Sequence, residues 1–337
     1  MTKEGDGTGK APRSPSDLHR EAWWLALRRA ARGFLTDACP DAAAALTFYS
    51  VLALFPGLVA ALSLLGVVGQ DDEAAQLVLA VLGDVAPRAE EAVREPILEI
   101  AASDSAPWVL AAGLAIALWS ASRYVGAFSR TMNGIWGREE GRPVVSLKLH
   151  QLGVTLICSL LAALGLAGAA ISTPVARAIG DIVGAGDTGV LVWRIARWPF
   201  LLAIVVVIVA ILYHTGPNAR RPRFRWVSIG ALFAIVVLAA ASAGFAVYAS
   251  DLADYERLYG SFAGVVVGLL WMWIANMALL FGAEVDAELE RARELQAGLP
   301  AEEDIQLPMR DARRILRKAR TEREEKRLSG EVRRNAR

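Results

Sequence analysis

The 337-residue sequence has few of the residues from which enzyme sites are usually built. Its two cysteines, Cys39 and Cys158, have a separation that fits neither a disulfide framework nor a zinc site. Its three histidines, His19, His150 and His214, stand at the ends of polar stretches, where histidine is usually solvated. GxGxxG, Walker, CxxC, GxSxG and HExxH motifs are missing. We therefore predict no metal, no cofactor and no enzymatic activity.

A charge excess of either sign is also missing. The 36 Lys and Arg residues nearly balance the 35 Asp and Glu residues, which leaves a formal net charge of +1. Overall charge thus gives no argument for nucleic acid, and we expect no nucleic-acid partner. Apolar residues are abundant instead: 55% of the chain is hydrophobic and the mean hydropathy is +0.37. The stretch 42–69 contains no charged residue and exceeds the roughly 20 residues that cross a bilayer core.

Apolar stretches of this kind recur along the sequence and predict an all-α polytopic membrane protein. The six predicted spans are 44–68, 108–122, 149–171, 198–213, 227–249 and 261–282. Lys and Arg number seven in the N-terminal region, five in 123–150, four in 214–226 and 14 in the C-terminal tail. The three loops on the other side of the membrane hold two, three and one Lys or Arg residues. The positive-inside rule therefore predicts cytoplasmic N and C termini. Arg194 and Arg197 do not fit this rule, because they lie on the side predicted to be outside the cytoplasm.

The segments around the spans differ in composition. Residues 1–16 are predicted to be a disordered tail, and 17–36 an amphipathic helix, either at the membrane surface or packed on the protein's own cytoplasmic side. The membrane domain is predicted to cover 37–283. Residues 284–337 are predicted to be a charged, partly helical cytoplasmic tail with a helix at 302–326. Two short amphipathic helices are predicted in the first outer loop, at 73–82 and 89–102.

The first span carries a proline at its centre, which gives a candidate site. Pro56 removes a backbone donor and frees the carbonyl of Leu52, which predicts a kink or an interruption facing protein or water. Tyr49 and Ser63 share the face of Pro56. We predict a cavity lined by these three residues, with Arg123 at its cytoplasmic mouth to attract an anionic head group. A kink that only lets helices pack is the alternative.

Other candidates lie near the ends of the spans. Asn133 and Asn276 are predicted to form helix-packing hydrogen bonds or ligand contacts. Glu284, one turn past the sixth span, is either a solvated helix end or a charge partner for Arg123 or for the arginines of the 214–226 turn. Carboxylates are absent from all six predicted spans, which disfavours a buried proton relay.

The sixth span has glycines at a spacing of four residues. Gly260, Gly264 and Gly268 form a small-residue face, which predicts close packing on another helix of the chain or on a second copy.

Four strings of the sequence carry a family resemblance: AAAALTFYSVLALFPGLV, WSASRYVGAFSRTMNGIWG, YHTGPNARRPRFRWVSIGA and YGSFAGVVVGLLWMWIANMALLFGAEVDAELE. They resemble the YihY/BrkB family of bacterial inner-membrane proteins, from about Arg28 to Arg291. The resemblance implies a six-helix bundle in the bacterial inner membrane. The family once carried the label ribonuclease BN, and transport, lipid-related and serum-resistance roles are associated with it. The tail past Arg291 lies outside the resemblance.

Three functions therefore compete. Transport or handling of a lipid or amphiphile fits the spans, the proline and the glycine face, and membrane lipids are the expected partners. A structural or scaffolding protein, as a homo-oligomer or with a cytoplasmic partner for the tail, is the alternative. A tRNA-processing ribonuclease is disfavoured, because hydrolysis usually needs metal-binding carboxylates or a paired acid and base.

Overall fold

The computed structural model describes residues 17–68, 106–170, 186–220, 228–250 and 263–335. They form eight helices: α1 (Arg20–Thr36), α2 (Cys39–Val68), α3 (Ala106–Ile135), α4 (Val144–Ala170), α5 (Gly186–Thr215), α6 (Ile229–Ser250), α7 (Ala263–Gln296) and α8 (Arg313–Asn335). No strand occurs in these ranges, and Ala219 and Met309 form an isolated bridge. The described part of the chain is all-α, as predicted.

Within the described residues, four helices have the length and composition to cross a membrane. The candidate segments are Val144–Leu166, Leu191–Thr215, Ile229–Val247 and Gly264–Gln296. In α4, Leu156, Leu160 and Leu164 are exposed, as are many apolar side chains of the other three segments. Apolar surface of this extent on helices of this length suits contact with lipid chains. The described apolar part of α2 is Cys39–Leu54.

Two helices extend further than the predicted spans. α3 is one helix of 30 residues that continues past the predicted span 108–122 to Ile135, and no proline interrupts its interior. α2 continues through Pro56, so the predicted interruption is absent. A kink there stays a prediction.

The last helix also starts later than predicted. α8 begins at Arg313, not near residue 302. The preceding segment cannot be helical because it hydrogen-bonds elsewhere: the backbone N–H of Gln306 donates to Glu294 Oε2, and that of Arg310 donates to the carbonyl of Asn218.

The chain divides into two compact units. The first comprises Met1–Thr47, Ala127–His150 and Val209–Arg337, and the second comprises Phe48–Gly126 and Gln151–Ile208. The first unit therefore holds α1, α6, α7 and α8, together with the beginning of α2 and the ends of α3, α4 and α5 that flank polar connections.

Within the first unit, α1 packs on the charged end of α7. Ala26 and Ala30 lie in one buried cluster with Val285 and Leu289. An ion pair of 3.0 Å joins Arg29 Nε to Glu288 Oε2 at the edge of this contact. The other face of α1 leaves Trp24 and Leu35 exposed. α1 is therefore packed on the protein itself while keeping apolar side chains at its surface.

A pair of glycines allows α6 and α7 to approach each other closely. A Cβ atom on Gly282 would lie 2.4 Å from the carbonyl oxygen of Gly230, and one on Gly230 would lie 2.1 Å from that of Gly282. Only glycine fits at either position without backbone movement. The phenolic O–H of Tyr213 donates to the carbonyl of Leu279 close by, which brings α5 to the same contact.

Candidate functional site

The polar connections of the first unit meet in a buried cluster of four side chains, Asn133, Glu140, Arg142 and Asn218, which we call the polar hub. Arg142 is 8% exposed and forms a bidentate pair with Glu140, with Nε–Oε1 at 2.8 Å and Nη2–Oε2 at 2.7 Å. Its Nη2 also donates to Ser129 Oγ and to the carbonyl of Gly216, both at 3.2 Å. Bidentate charge-assisted bonds of this kind are both strong and directional. Arg142 thus ties α3 to the end of α5.

Asn218 uses its whole amide in the same hub. Its Nδ2 donates to the carbonyls of Glu139 at 3.0 Å and Asp311 at 2.8 Å, and its Oδ1 accepts from the N–H of Asp311 at 3.1 Å. Its own backbone N–H donates to Asn133 Oδ1 at 2.7 Å. Asn133 Nδ2 donates to Glu140 Oε2 at 3.0 Å, which closes the network. A fully buried amide that satisfies this many groups fixes the conformation around it.

The C-terminal segment is held against the hub by its backbone. A Cβ on Gly141 would lie 1.8 Å from the carbonyl oxygen of Asp311, so glycine is required for this approach. The N–H of Arg314 donates to the carbonyl of Gly141, and Arg138 donates to the carbonyl of Ile305. The 136–143 connection, the 215–220 turn and the 301–312 segment must therefore lie on the same side of any membrane that the helices cross.

The hub also controls the ionisation of Glu140. Burial, the largest influence, raises the pKa of this carboxyl group, but the hydrogen bonds from Arg142 and Asn133 together lower it below its usual value. Glu140 is therefore held as a carboxylate, and the pair with Arg142 stays ionic down to acidic pH.

A second buried polar group lies where α1 and α2 meet α7. Glu284 is 2% exposed, and the thiol of Cys39 donates to its Oε1 at 3.5 Å. A Cβ on Gly33 would lie 2.7 Å from its Oε2, so α1 covers the carboxyl group closely. Asp37, between α1 and α2, is hydrogen-bonded to Glu284; desolvation raises its pKa, while Glu284 and Arg291 act in the opposite direction. Glu284 is thus a buried group and not part of a solvated helix end.

We expect Glu284→Gln to raise the thermal unfolding temperature at alkaline pH. A raised pKa means that the stabilising contribution of Asp37 is full below its unfolded value of 3.8 and is lost as pH rises through the folded value. At alkaline pH Glu284 is ionised as well, so two carboxylates face each other, and glutamine removes one of the two charges. Unfolding in detergent across a pH series measures this, with the exposed Glu303→Gln as control. A lower unfolding temperature for Glu284→Gln at pH 9 would contradict it.

The second unit contains the pair Tyr49 and Arg123. The guanidinium carbon of Arg123, on α3, lies 5.7 Å from the centroid of the Tyr49 ring, on α2. Phe48, on α2, and Trp119, one turn before Arg123, are each 62% exposed. Arg123 is itself exposed, and within the described residues no carboxylate forms an ion pair with it. The result is a cation held on an aromatic ring beside exposed apolar side chains.

The remaining predicted residues are separated. Asn276, 5% exposed, donates to Thr47 Oγ1 at 3.1 Å and joins α7 to α2. Gly264 and Gly268 have no atom within 4 Å of a Cβ placed on them, so the described chain does not cover this face. The side chains of Pro56 and Ser63, and all of Gly260, lie outside the described residues. The structure therefore brings together Tyr49 and Arg123 among the predicted cavity residues.

Sequence analysis missed most of the polar hub. Glu140, Arg142 and Asn218 stand in connections, where polar residues are usual, and their partners are distant in the chain. Two features of the sequence did indicate that backbone segments pack closely here. One is Gly141 between two charged residues, and the other is the Gly-Pro-Asn of the 214–226 turn. Among the described residues, no group of three or more His, Cys, Asp or Glu side chains is placed to hold a metal ion.

Long apolar helices joined by a buried polar hub at one end define a helical, membrane-embedded protein. A family model described as Virulence factor BrkB matches residues 30–306. The chain belongs to this family.

Similar proteins share the core of the chain. YfkH of Bacillus subtilis, named a putative ribonuclease-like protein, is 28% identical over 254 residues, which cover 75% of this chain and 90% of YfkH. A UPF0761 membrane protein of Alkalilimnicola ehrlichii is 30% identical over 257 residues, covering 75% of this chain and 56% of that protein. One of Pseudomonas paraeruginosa is 28% identical, covering 78% and 62%. This chain thus matches somewhat over half of the UPF0761 proteins' lengths. No solved structure matches it.

Proposed function

We propose that this protein binds and moves an anionic amphiphile, such as an acidic phospholipid, within the cell membrane. One observation carries the proposal: the Arg123 guanidinium, held over the Tyr49 ring, is exposed beside Phe48 and Trp119. An anionic head group and an acyl chain need a cation and an apolar surface side by side. A charged side chain in a membrane helix commonly marks a functional site.

Reconstituted proteoliposomes test this proposal. Tail-labelled fluorescent phosphatidylglycerol is placed in both leaflets, and external dithionite reports its movement out of the inner leaflet. We expect movement faster than in protein-free vesicles and slowed about tenfold or more by Arg123→Gln, because charged hydrogen bonds are worth about 1.5–3 kcal/mol. Arg130→Gln is the control, since Arg130 is exposed on the same helix two turns further on. Equal rates in both variants, or no acceleration by the protein, would contradict the proposal.

The proposed topology has six spans with cytoplasmic termini in the inner membrane. Hydrogen bonds support this: the hub joins the 136–143 connection, the 215–220 turn and the C-terminal segment. Arg29, in α1, donates to the carbonyl of Glu302 at 3.3 Å and brings the N-terminal helix to the same side. These are the regions in which Lys and Arg are concentrated.

The name of YfkH raises ribonuclease activity as another candidate. General acid–base hydrolysis needs groups within reach of the substrate. Glu140 and Arg142 form an ion pair with each other, and their side chains are only 17% and 10% exposed. We therefore do not propose ribonuclease activity for this chain.

A further inference from the structure

The C-terminal helix α8 is a charged helix that is largely exposed in the described chain. It carries ten Lys or Arg residues and four Glu residues, and none of its residues is buried. It lies beyond the 30–306 range that matches the family model. Packing within the described chain therefore does not account for its charged faces.

The acidic residues of α8 are confined to one part of the helix circumference. At about 100° per residue, about 140° of its circumference contains no acidic residue. This basic face consists of Arg320, Arg323, Lys326, Arg327, Arg333 and Arg334, with Ile315, Leu316 and Ala319 at its beginning. The four glutamates, Glu322, Glu324, Glu325 and Glu331, lie on the remaining circumference, together with the other four basic residues, Arg313, Arg314, Arg317 and Lys318. An even mixture of charges would favour a solvated helix, whereas this segregation favours a polyanionic partner.

The basic face is open. All six basic side chains are exposed, and among the described residues Arg327 alone of the six contacts an acid, with Nε at 4.0 Å from Glu331 Oε1. Both partners are largely exposed, and such pairs contribute little. The face is thus free to bind an anion without first breaking strong internal contacts.

The anchoring of α8 puts the basic face close to lipid. The N–H of Arg314 bonds to the carbonyl of Gly141 at 2.8 Å, and Gly141 lies just before the candidate membrane segment Val144–Leu166. α8 therefore starts at the end of a membrane helix, and its 23 residues extend about 35 Å from there. Such tethering raises the effective concentration of the basic face near the membrane surface.

We propose that the basic face of α8 docks on anionic phospholipid head groups of the membrane in which the protein is embedded. Each Lys or Arg near an anionic leaflet strengthens such binding about fivefold. Ile315, Leu316 and Ala319 supply a small apolar contact next to the anchored end. Nucleic acid is the other polyanion that suits a basic helix, but α8 has no aromatic residue on which bases could stack.

Energy transfer in nanodiscs tests the docking on the full-length protein. A donor fluorophore is attached at position 329 through S329C, in a chain that also carries Cys39→Ala and Cys158→Ala. The acceptor is a head-group-labelled lipid. We expect higher transfer in discs with one-third phosphatidylglycerol than in pure phosphatidylcholine discs. The difference should disappear in 1 M salt, where the Debye length is about 3 Å.

Two triple variants separate the basic face from total charge. Arg323, Arg327 and Arg334 are changed to Gln in one, and Arg314, Arg317 and Lys318, off the face, in the other. We expect the first to weaken docking on the order of 100-fold and abolish the lipid-dependent difference, and the second to retain it. Circular dichroism checks that both keep their helix content.

Three results would overturn the proposal: equal transfer in both lipid mixtures, equal losses in the two triple variants, or release of α8 from anionic discs by single-stranded RNA at physiological salt. The last result would identify nucleic acid as the partner.

Discussion

Gly282→Ala is expected to destabilise the protein by about 1–3 kcal/mol, which is the range found for overpacked contacts. The new Cβ would lie 2.4 Å from the carbonyl oxygen of Gly230, 2.5 Å from Ala234 Cβ and 2.7 Å from Tyr213 Oη. Backbone and a methyl group cannot rotate away, so α6 and α7 must separate. Thermal unfolding of the detergent-purified protein, followed by size-exclusion fluorescence, measures the loss.

Gly264→Ala is the matched control on the same helix. No atom of the described chain lies within 4 Å of a Cβ at position 264, so alanine should be neutral or should stabilise by helix propensity, up to about 1 kcal/mol. Equal destabilisation by the two substitutions would contradict the assignment of the close contact to Gly282. A loss at 264 that accompanies a change in oligomeric state would instead place the Gly260, Gly264 and Gly268 face against a second copy.

Arg142→Met is expected to cost about 3–5 kcal/mol, the range found when one member of a buried ion pair is removed. The side chains of Arg142 and Glu140 are only 10% and 17% exposed, so water replaces the lost partner poorly. Ser129 Oγ and the carbonyl of Gly216 lose a donor as well. Arg313→Met is the control: it breaks the pair with Asp311, in which Arg313 is 64% exposed, and should leave the unfolding temperature nearly unchanged, because exposed ion pairs contribute little.

The pH dependence of this loss identifies its cause. The pKa of Glu140 is lowered in the folded protein, so its stabilisation is present above the usual value of 4.5 and is lost as pH falls through the folded value. The difference in free energy of unfolding between the wild type and Arg142→Met should therefore have its full value above about pH 4.5 and become smaller below it. A difference that is constant down to acidic pH would assign the loss to packing rather than to the ion pair.

The helical architecture was predictable because a membrane segment is a local property of the sequence. Each run of some twenty apolar residues contributes its own transfer free energy, whatever the rest of the chain does. The start of the last helix was harder to predict from the sequence. The late start of α8 depends on where backbone groups find hydrogen-bond partners, which composition does not show.

The polar hub could not be derived from the sequence for the same reason. Asn218 contacts Asp311 across 93 residues, and Arg142 contacts Gly216 across 74. Asn133 and Asn276 were selected because an amide near a membrane helix needs a partner, and both have one in the structure. Glu284 was expected to face a cation or solvent, and instead contacts Cys39 and is covered by α1.

The central claim is that the hub side of the protein, with both termini, faces the cytoplasm and that six helices cross the membrane. Single cysteines introduced at Ser16, Asp72, Arg138, Gly186, Pro222, Asp254 and Ser329, labelled in intact and in permeabilised cells, test it most directly. The account predicts labelling of intact cells at Asp72, Gly186 and Asp254, and labelling at the other four only after permeabilisation. Asp72 on the same side as Arg138 and Ser329 would contradict the account.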